Sequence, residues 1–243
     1  MNCDTNGRLV VIHIDDLLVA VDKPAGLLVH RSALDAHERD DLVTRLRQQL
    51  GGPVWPVHRL DKGTSGLLLL ARQPEAATLL GTSFRAATVH KQYLALLRGW
   101  PANEGRLDHA LARDPEIPSA GQVHREASTC WRVLKRLEWP VRSRQGHDTT
   151  RAALVLVQPL TGRRHQIRRH FKHLSHPLIG DATHGKGPLN RTVAEFLGMP
   201  RLWLHALTLE LSHPATGQKL LLRCEPSPEW LPLGWDKSLV SQA

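Results

Sequence analysis

Short apolar runs separated by polar turns follow one another along most of this chain. Residues 9–14 and 17–24 flank the Asp15-Asp16 pair, and this pattern predicts a β-hairpin. The run GLLLLA at residues 66–71 is too short for a lone helix, so it predicts a strand that is buried on both faces. Similar runs predict strands at residues 90–100, 127–137 and 152–159, with a polar loop around 142–150, and a second hairpin at 202–211 and 219–224.

Other segments have the apolar spacing of a helix. Residues 41–50 carry apolar side chains at positions 42, 43, 46 and 50 and are followed by Gly51-Gly52-Pro53, which stops a helix. Pro74 stands where a helix can begin, and this helix is predicted to continue to about residue 89. In residues 164–175, Ile167, Phe171 and Leu174 share one apolar stripe, which predicts a late helix.

The order of these elements indicates the fold class. Residues 101–121 are rich in Pro, Gly and charge and are predicted to be irregular. Strands and helices do not alternate regularly, which argues against a doubly wound sheet. The sequence therefore predicts an α/β (α+β) protein whose mixed, mostly antiparallel sheet is flanked by helices and loops. The chain of 243 residues is long enough for one sizeable core, with or without a small accessory lobe.

Charge narrows the class of partner. Lys and Arg total 32 against 23 Asp and Glu, a net charge of +9. Such an excess favours a polyanionic partner, with nucleic acid the leading candidate and an anionic membrane surface the alternative. No apolar run approaches the roughly 20 residues of a membrane span, and no amphipathic terminal helix with exposed aromatics supports membrane binding.

The cysteines and the N-terminus predict a cytoplasmic protein. Cys3, Cys130 and Cys224 are widely separated and form no CxxC pair, which is typical of a reducing compartment. The first residues carry charges where a signal peptide would need an apolar stretch.

One carboxylate stands out in HRLDKGTSGLLLLAR, residues 58–72. Asp61 lies between a basic pair and a Gly-Thr-Ser-Gly turn. It either caps that turn or pairs with Arg59, or the surrounding cations keep it ionised for chemistry. The turn itself lacks the spacing of a phosphate-binding loop. A lone carboxylate argues against an ordinary glycosidase, which uses two, but it can act as a covalent nucleophile beside an arginine.

The late helix lies in a stretch without acidic residues. Between Asp148 and Asp181 the charged side chains are all basic. A solvated basic face is usually interleaved with acids, so its counter-charge is predicted to come from elsewhere, with phosphate favoured over an uninvolved surface. The histidines of this stretch lack cysteine or carboxylate company and stand among cations, so no metal is expected at His165, His170, His173 and His176. Tyr93, the single tyrosine, is either a core residue or a ring that stacks on a base.

Together these stretches resemble the RluA-type pseudouridine synthases. HRLDKGTSG resembles the first signature of that family, and KQYLALLRG the second, with Tyr93 in its tyrosine position. PLTGRRHQIRRHFKHLSHPLIGD, residues 159–181, resembles the third, with Arg168 in the place of the active-site arginine. VAVDKPAGLLVHR and RLWLHALTLELSHPATGQKL resemble flanking family segments, so the likeness covers roughly residues 9–225.

The resemblance implies the fold, the reaction and the roles of residues. Residues 1–243 would form a single pseudouridine synthase catalytic domain, without the small S4 RNA-binding domain of some relatives. The enzyme would break a uridine N-glycosidic bond, rotate the uracil and rejoin it through carbon 5, without metal or other cofactor. Asp61 would be the nucleophile, and Arg168 would pair with it. Tyr93 would stack on the uracil and assist the carbon 5 proton, and Arg59 would fill the space left by a flipped nucleotide.

Smaller details point to the branch and the partner. GDATHG with His184, together with VHRSALD at residues 29–35, resembles the TruC branch, which modifies uridine 65 in the acceptor stem of certain tRNAs. Alternatives are an rRNA-specific relative and a catalytically silent RNA-binding protein. A monomer without an obligatory protein partner is expected. The residues expected to bind RNA are Arg31, Arg59, Lys91, Arg163, Arg164, Arg169 and Lys172.

Overall fold

The computed structural model describes residues 7–31, 40–142 and 148–241. These residues form two compact units: a first unit of residues 7–31, 40–91 and 205–227, and a second unit of residues 92–142, 148–204 and 228–241. The single catalytic domain stays a prediction. Cys3, residues 32–35 of the VHRSALD segment and residues 143–147 of the predicted polar loop lie outside the described residues.

Antiparallel strands dominate the first unit. Its elements are β1 (Val10–Ile14), β2 (Leu18–Lys23), α1 (Leu42–Leu50), β3 (Trp55–Pro56), β4 (Ser65–Ala71), α2 (Pro74–Arg85), β11 (Leu204–Ser212) and β12 (Lys219–Arg223). The pairs β1–β2, β2–β4, β3–β4 and β11–β12 are antiparallel, and β4 pairs with β11 in parallel at Ser65 and Gly66. All residues of β4 are buried, which confirms the prediction from GLLLLA. Both predicted hairpins are also confirmed.

Helix α1 begins and ends where its sequence signals stand. Asp41 is the N-cap, and its carboxylate accepts a hydrogen bond from the Thr44 amide. Gly51 follows the helix in the left-handed region, at φ 68°, where a residue without Cβ is favoured. Helix α2 ends at Arg85, before the predicted residue 89.

The second unit is built around the order β5–β10–β9–β6, in which each neighbouring pair is antiparallel. Its elements are β5 (His90–Arg98), which the chain enters from the first unit, β6 (Glu104–Asp108), β7 (Leu111–Ala112), β8 (His124–Arg125), β9 (Ser128–Trp139), β10 (Thr150–Pro159), α3 (Gln166–His173), α4 (Gly187–Leu197) and α5 (Ser238–Ser241), with a 3-10 helix at Pro228–Leu233. Ile167 and Phe171 of α3 are buried in a cluster with residues of β5 and β10, so the predicted apolar stripe is confirmed.

Some elements differ from the sequence-based prediction. Residues 101–121 are not wholly irregular, because β6 pairs with β9 and β7 pairs with β8. These short strands form through partners distant in sequence, so their own residues carry little strand signal. Helix α4 was not predicted, although Leu189 and Val193 lie four residues apart on its buried side. The mixed, mostly antiparallel fold class is confirmed. No helix within the described residues is long and apolar enough to cross a membrane.

Candidate active site

Asp61 lies in the loop that joins β3 to β4, within the first unit. Its side chain is partly exposed, while the preceding Leu60 is buried at 6% exposure. The Thr64 amide donates a hydrogen bond to the Asp61 carbonyl oxygen at 3.0 Å, so the turn spans residues 61–64, and the second half of the Gly-Thr-Ser-Gly stretch already belongs to β4. Asp61 therefore lies between a buried residue and a tight turn, and is itself neither fully buried nor fully exposed.

A buried lysine holds the main chain one residue after Asp61, at the carbonyl of Lys62. Lys23 has no exposed surface, and its Nζ donates hydrogen bonds to the carbonyl oxygens of Pro24 at 2.8 Å, Leu27 at 2.7 Å and Lys62 at 3.1 Å. The Gly26 amide also donates to the Lys62 carbonyl, at 2.8 Å. Buried ammonium groups need such partners, because an unpaired one would carry a large desolvation cost. The sequence signal for this contact was a lysine at the end of an apolar strand, which was not recognised as a site residue.

His58 holds the loop from the other side. Its Nε2 accepts a hydrogen bond from the Leu69 amide of β4 at 2.9 Å, and its ring stacks on Phe84 of α2 with centroids 4.5 Å apart. Burial of the ring, and next the charge of Lys91, lower the pKa of His58 from 6.5 to about 3. The imidazole is therefore neutral, and because Nε2 accepts, its proton is on Nδ1. In the sequence, this histidine is marked only as the first residue of the HRLDKGTSG motif.

Arg168 belongs to the second unit, on α3, and is buried at 7% exposure. Its Nε and Nη2 donate to the two carboxylate oxygens of Asp181, at 2.7 and 2.9 Å, in a bidentate ion pair. The amides of Thr183 and His184 donate to the same carboxylate. The guanidinium plane of Arg168 is thereby fixed by a residue of the same motif, and the pairing of Arg168 with Asp61 stays a prediction.

Electrostatics around Asp181 favour its ionised form. Burial alone would raise the pKa of this carboxyl, but hydrogen bonds from Arg168 and the His184 amide, with the positive charge of Arg168, lower it. His184 is itself buried, and desolvation lowers its pKa. Its Nε2 lies 3.1 Å from Nδ1 of His165, the residue that precedes α3 with φ at 52°. Through these contacts, Asp181 and His184 link His165, which precedes α3, to Arg168 within the helix.

The basic stretch between Asp148 and Asp181 finds acidic partners within the chain, contrary to the prediction that favoured phosphate as its counter-charge. Three of its arginines find carboxylates elsewhere in the chain: Arg151 with Glu138, Arg168 with Asp181, and Arg164 with both Asp114 and Glu116. Their counter-charge therefore does not have to come from a ligand. The acids were missed because they are 13 to 50 residues away in sequence and meet the arginines only through folding.

The other residues expected to bind RNA differ in their surroundings. Arg163 and Arg169 donate to the main-chain oxygens of Glu126 and Ala112, so both hold the segment that carries β7 and β8. Lys172 is exposed. RNA binding by Arg163, Arg169 and Lys172 stays a prediction. For the two arginines, the structure shows main-chain contacts within the protein.

The three residues of the first unit that were expected to bind RNA also differ from one another in exposure and contacts. Arg59 is exposed. Arg31 is half exposed and pairs through Nε with Asp41, the N-cap of α1. Lys91 is buried at 8% exposure, and desolvation lowers its pKa. A buried ammonium cannot reach a phosphate at the surface without moving, which argues against direct phosphate contact by Lys91.

The structure also places Tyr93 and the histidines of the late helix. Tyr93 lies in β5 opposite Val157 and packs, partly buried, against the core of the second unit. His170 lies between the Thr129 hydroxyl and the His109 carbonyl, while His173 stacks on His109 with centroids 4.0 Å apart. Within residues 7–31, 40–142 and 148–241, no group of His, Cys, Asp and Glu side chains is placed to hold a metal ion.

Comparison with known proteins identifies the class. The sequence model of the RNA pseudouridylate synthase family matches residues 17–173. This segment includes the loop of Asp61, the strand of Tyr93 and the helix of Arg168. The chain belongs to the RNA pseudouridylate synthase family, as its motifs predicted.

Individual relatives agree over nearly the whole chain. It is 41% identical to the tRNA pseudouridine synthase C of Vibrio vulnificus, over 96% of this chain and 98% of the relative. It is also 41% identical to the protein of the same name from Pasteurella multocida, over 96% of this chain and 99% of the relative. Among solved structures, human RNA pseudouridylate synthase domain containing 1 is 28% identical with a TM-score of 0.71, and covers 94% of this chain and 87% of its own.

Proposed function

We propose that this protein is a tRNA pseudouridine synthase. The observation that carries the proposal is 41% identity to tRNA pseudouridine synthase C enzymes across 96% of the chain. The three motifs with Asp61, Tyr93 and Arg168 support it, because each of those residues is intact in this sequence. We infer further that uridine 65 of the acceptor stem is the target, from the likeness of GDATHG and VHRSALD to the branch with that specificity.

The reaction is an isomerisation, so the atoms of substrate and product are the same. The bond between N1 of uracil and C1′ of ribose breaks, and a bond between C5 and C1′ forms. C5 loses a proton, and N1 gains one. In our proposal Asp61 starts this change, either by attack on the ribose or by initiating glycal formation. The chemistry consumes no redox equivalents, which is why no cofactor is proposed.

The local structure supports separate roles for the residues. The main chain on both sides of Asp61 is held by Lys23 and His58, which favours a fixed position for the carboxylate. Arg168 is held by Asp181, which favours a fixed direction for its remaining donors. Arg59 is exposed beside Asp61, as a side chain must be if it replaces a nucleotide that leaves a helical stem. Tyr93 is proposed to contact the flipped uracil.

Mapping pseudouridine in tRNA and rRNA from cells with and without this protein tests the proposal. We expect one acceptor-stem position of tRNA to lose pseudouridine and to recover it when the gene is restored. Loss of an rRNA position instead would favour the rRNA-specific alternative. No change at any position, with RNA binding retained in vitro, would favour a silent RNA-binding protein. Cytoplasmic location and a monomeric state belong to the same proposal and are checked by fractionation and by size-exclusion chromatography.

A further inference from the structure

We propose that His58 is a positioning residue for Asp61, and that it acts by accepting a main-chain hydrogen bond from β4. This inference rests on the proposed function, because it concerns how the nucleophile of that reaction is held. His58 is not proposed to touch the substrate. Its effect passes through three residues of loop to the carboxylate.

The hydrogen bond continues a strand pairing by means of a side chain. β3 pairs with β4 at Trp55–Ala71 and Pro56–Leu70, and then the pairing of main chains ends. The next amide along β4 is that of Leu69, and it donates to Nε2 of His58 at 2.9 Å. The imidazole therefore takes the place of a main-chain acceptor. In this way the loop leaves the sheet while remaining attached to β4, a strand in which every residue is buried.

The contact requires a neutral ring in one orientation. A protonated imidazole would point an N–H group at the N–H of Leu69, so the hydrogen bond exists only with Nε2 unprotonated. Stacking on Phe84, with the ring planes 12° apart, restricts the rotation of the ring. Phe84 belongs to α2, so the histidine is placed by two elements that are independent of the loop.

Asp61 consequently lies between two anchors. His58 is attached to β4, and the Lys62 carbonyl is held by Gly26 and Lys23. Only residues 59–61 separate these anchors, and Leu60 within them is buried. A nucleophile held within a short, doubly attached span loses little conformational freedom when the substrate binds, which favours the rate of the chemical step.

Two substitutions separate the hydrogen bond from the stacking. His58→Gln keeps an acceptor at about the reach of Nε2 but removes the ring. His58→Phe keeps an aromatic ring to stack on Phe84 but removes the acceptor. His90→Phe, at an exposed histidine of the same unit, is the matched control. Each protein is assayed for tRNA affinity, for single-turnover pseudouridine formation at saturation, and for hydrogen exchange of the Leu69 amide.

We expect His58→Phe to lose about 10- to 100-fold in single-turnover rate, because small misplacements of a reacting group have effects of that size. Its tRNA affinity should stay within about threefold, and the Leu69 amide should exchange faster. His58→Gln should retain a rate within about fivefold of the unchanged protein. His90→Phe should resemble the unchanged protein in all three measurements.

The inference is overturned if His58→Phe reacts as fast as the unchanged protein, or if His58→Gln is as slow as His58→Phe. Should His58→Phe fail to fold, the rate of His58→Gln decides, because a loss of about 100-fold there would show that an acceptor is not sufficient. An unchanged protein that forms no pseudouridine in tRNA would instead contradict the proposed function. Even then, faster hydrogen exchange of the Leu69 amide in His58→Phe would show that His58 attaches the loop to β4.

Discussion

Arg168 and Asp181 form a buried bidentate ion pair inside one sequence motif. The two oxygens of Asp181 lie 2.7 and 2.9 Å from Nε and Nη2 of Arg168, and the Asp181 side chain has no exposed surface. Main-chain amides of Thr183 and His184 supply further donors to the carboxylate. A residue that the sequence analysis left without a role thus fixes the arginine that the family resemblance places in the active site.

Replacing Asp181 with Asn should destabilise the protein. The change leaves the buried Arg168 cation without its counter-charge, and breaking such a pair typically costs about 3 kcal/mol or more. Urea unfolding measures the free energy of unfolding. Glu210→Gln, which removes the partner of the exposed Lys219, is the control and should change it by less than about 1 kcal/mol. Equal stability of the Asp181 variant and the unchanged protein would contradict the role of this pair.

Replacing Asp61 with Asn should abolish turnover. The amide keeps the shape of the side chain but is a poor nucleophile, so the rate should fall by at least about 1,000-fold. Affinity for tRNA should remain similar, because the phosphate contacts are unchanged. Single-turnover pseudouridine formation and equilibrium binding measure the two quantities. An Asp61→Asn protein that still converted uridine at an appreciable rate would end the assignment of Asp61 as nucleophile.

Replacing Arg168 with Lys should also impair the reaction, by about 100-fold or more. One ammonium group cannot reproduce the planar fork that binds Asp181 and directs the remaining donors. The comparison of single-turnover rates at saturating tRNA is the measurement, with circular dichroism as a check on folding. Near-normal activity in a folded Arg168→Lys protein would limit Arg168 to a structural ion pair.

Lys172 and Arg164 should respond differently to salt. Each phosphate that a side chain neutralises contributes a slope of roughly 0.7–0.9 in log affinity against log salt. Lys172 is exposed, so changing it to Gln should flatten the salt dependence of tRNA binding by up to about one unit of slope. Arg164 is paired with Asp114 and Glu116, so Arg164→Gln should change the slope less.

Binding of both variants to substrate tRNA across a salt series checks this expectation, with single-turnover rates at saturation as the second measurement. The rates should change little, since neither residue is assigned to the reacting uridine. The affinity change should also be nearly the same for different RNA sequences, because phosphates carry no base identity. Unchanged affinity and slope in Lys172→Gln would place this face away from the RNA.

His58 should make stability depend on pH. Its pKa falls from 6.5 to about 3 in the folded protein, so below pH 6.5 the unfolded chain takes up a proton that the folded chain does not. The free energy of unfolding should therefore decrease as the pH falls, by about 2 kcal/mol from this group between pH 7 and pH 5. Urea unfolding of His58→Gln at both pH values should lack that part of the decrease. If the free energy of unfolding changed equally with pH in the variant and in the unchanged protein, His58 would not be the source of this pH dependence.

The local sequence pattern alone was sufficient to predict several helices and strands and the class of enzyme. The stripe of Ile167, Phe171 and Leu174 predicted a helix because it follows the period of the helical backbone, and the apolar run of β4 predicted a buried strand because it is short and uninterrupted. The motifs around Asp61, Tyr93 and Arg168 predicted the family because they are contiguous in the sequence. The strands β6 and β7 were missed, since each depends on a partner strand further along the chain.

Only the tertiary structure decided which charges meet. Arg164 and its carboxylates are separated by 48 and 50 residues, and Lys23 lies 39 residues from the carbonyl of Lys62 that it holds. Nothing in the local spacing of an ionisable residue specifies a partner at such a distance, because the partner is chosen by the packing of strands and helices. The sequence by itself therefore determined that Asp61 stands in an RNA-modifying motif. Folding determined that His58 and Lys23 hold its loop, and that Asp181 holds Arg168, because burial requires each of these polar groups to find a partner.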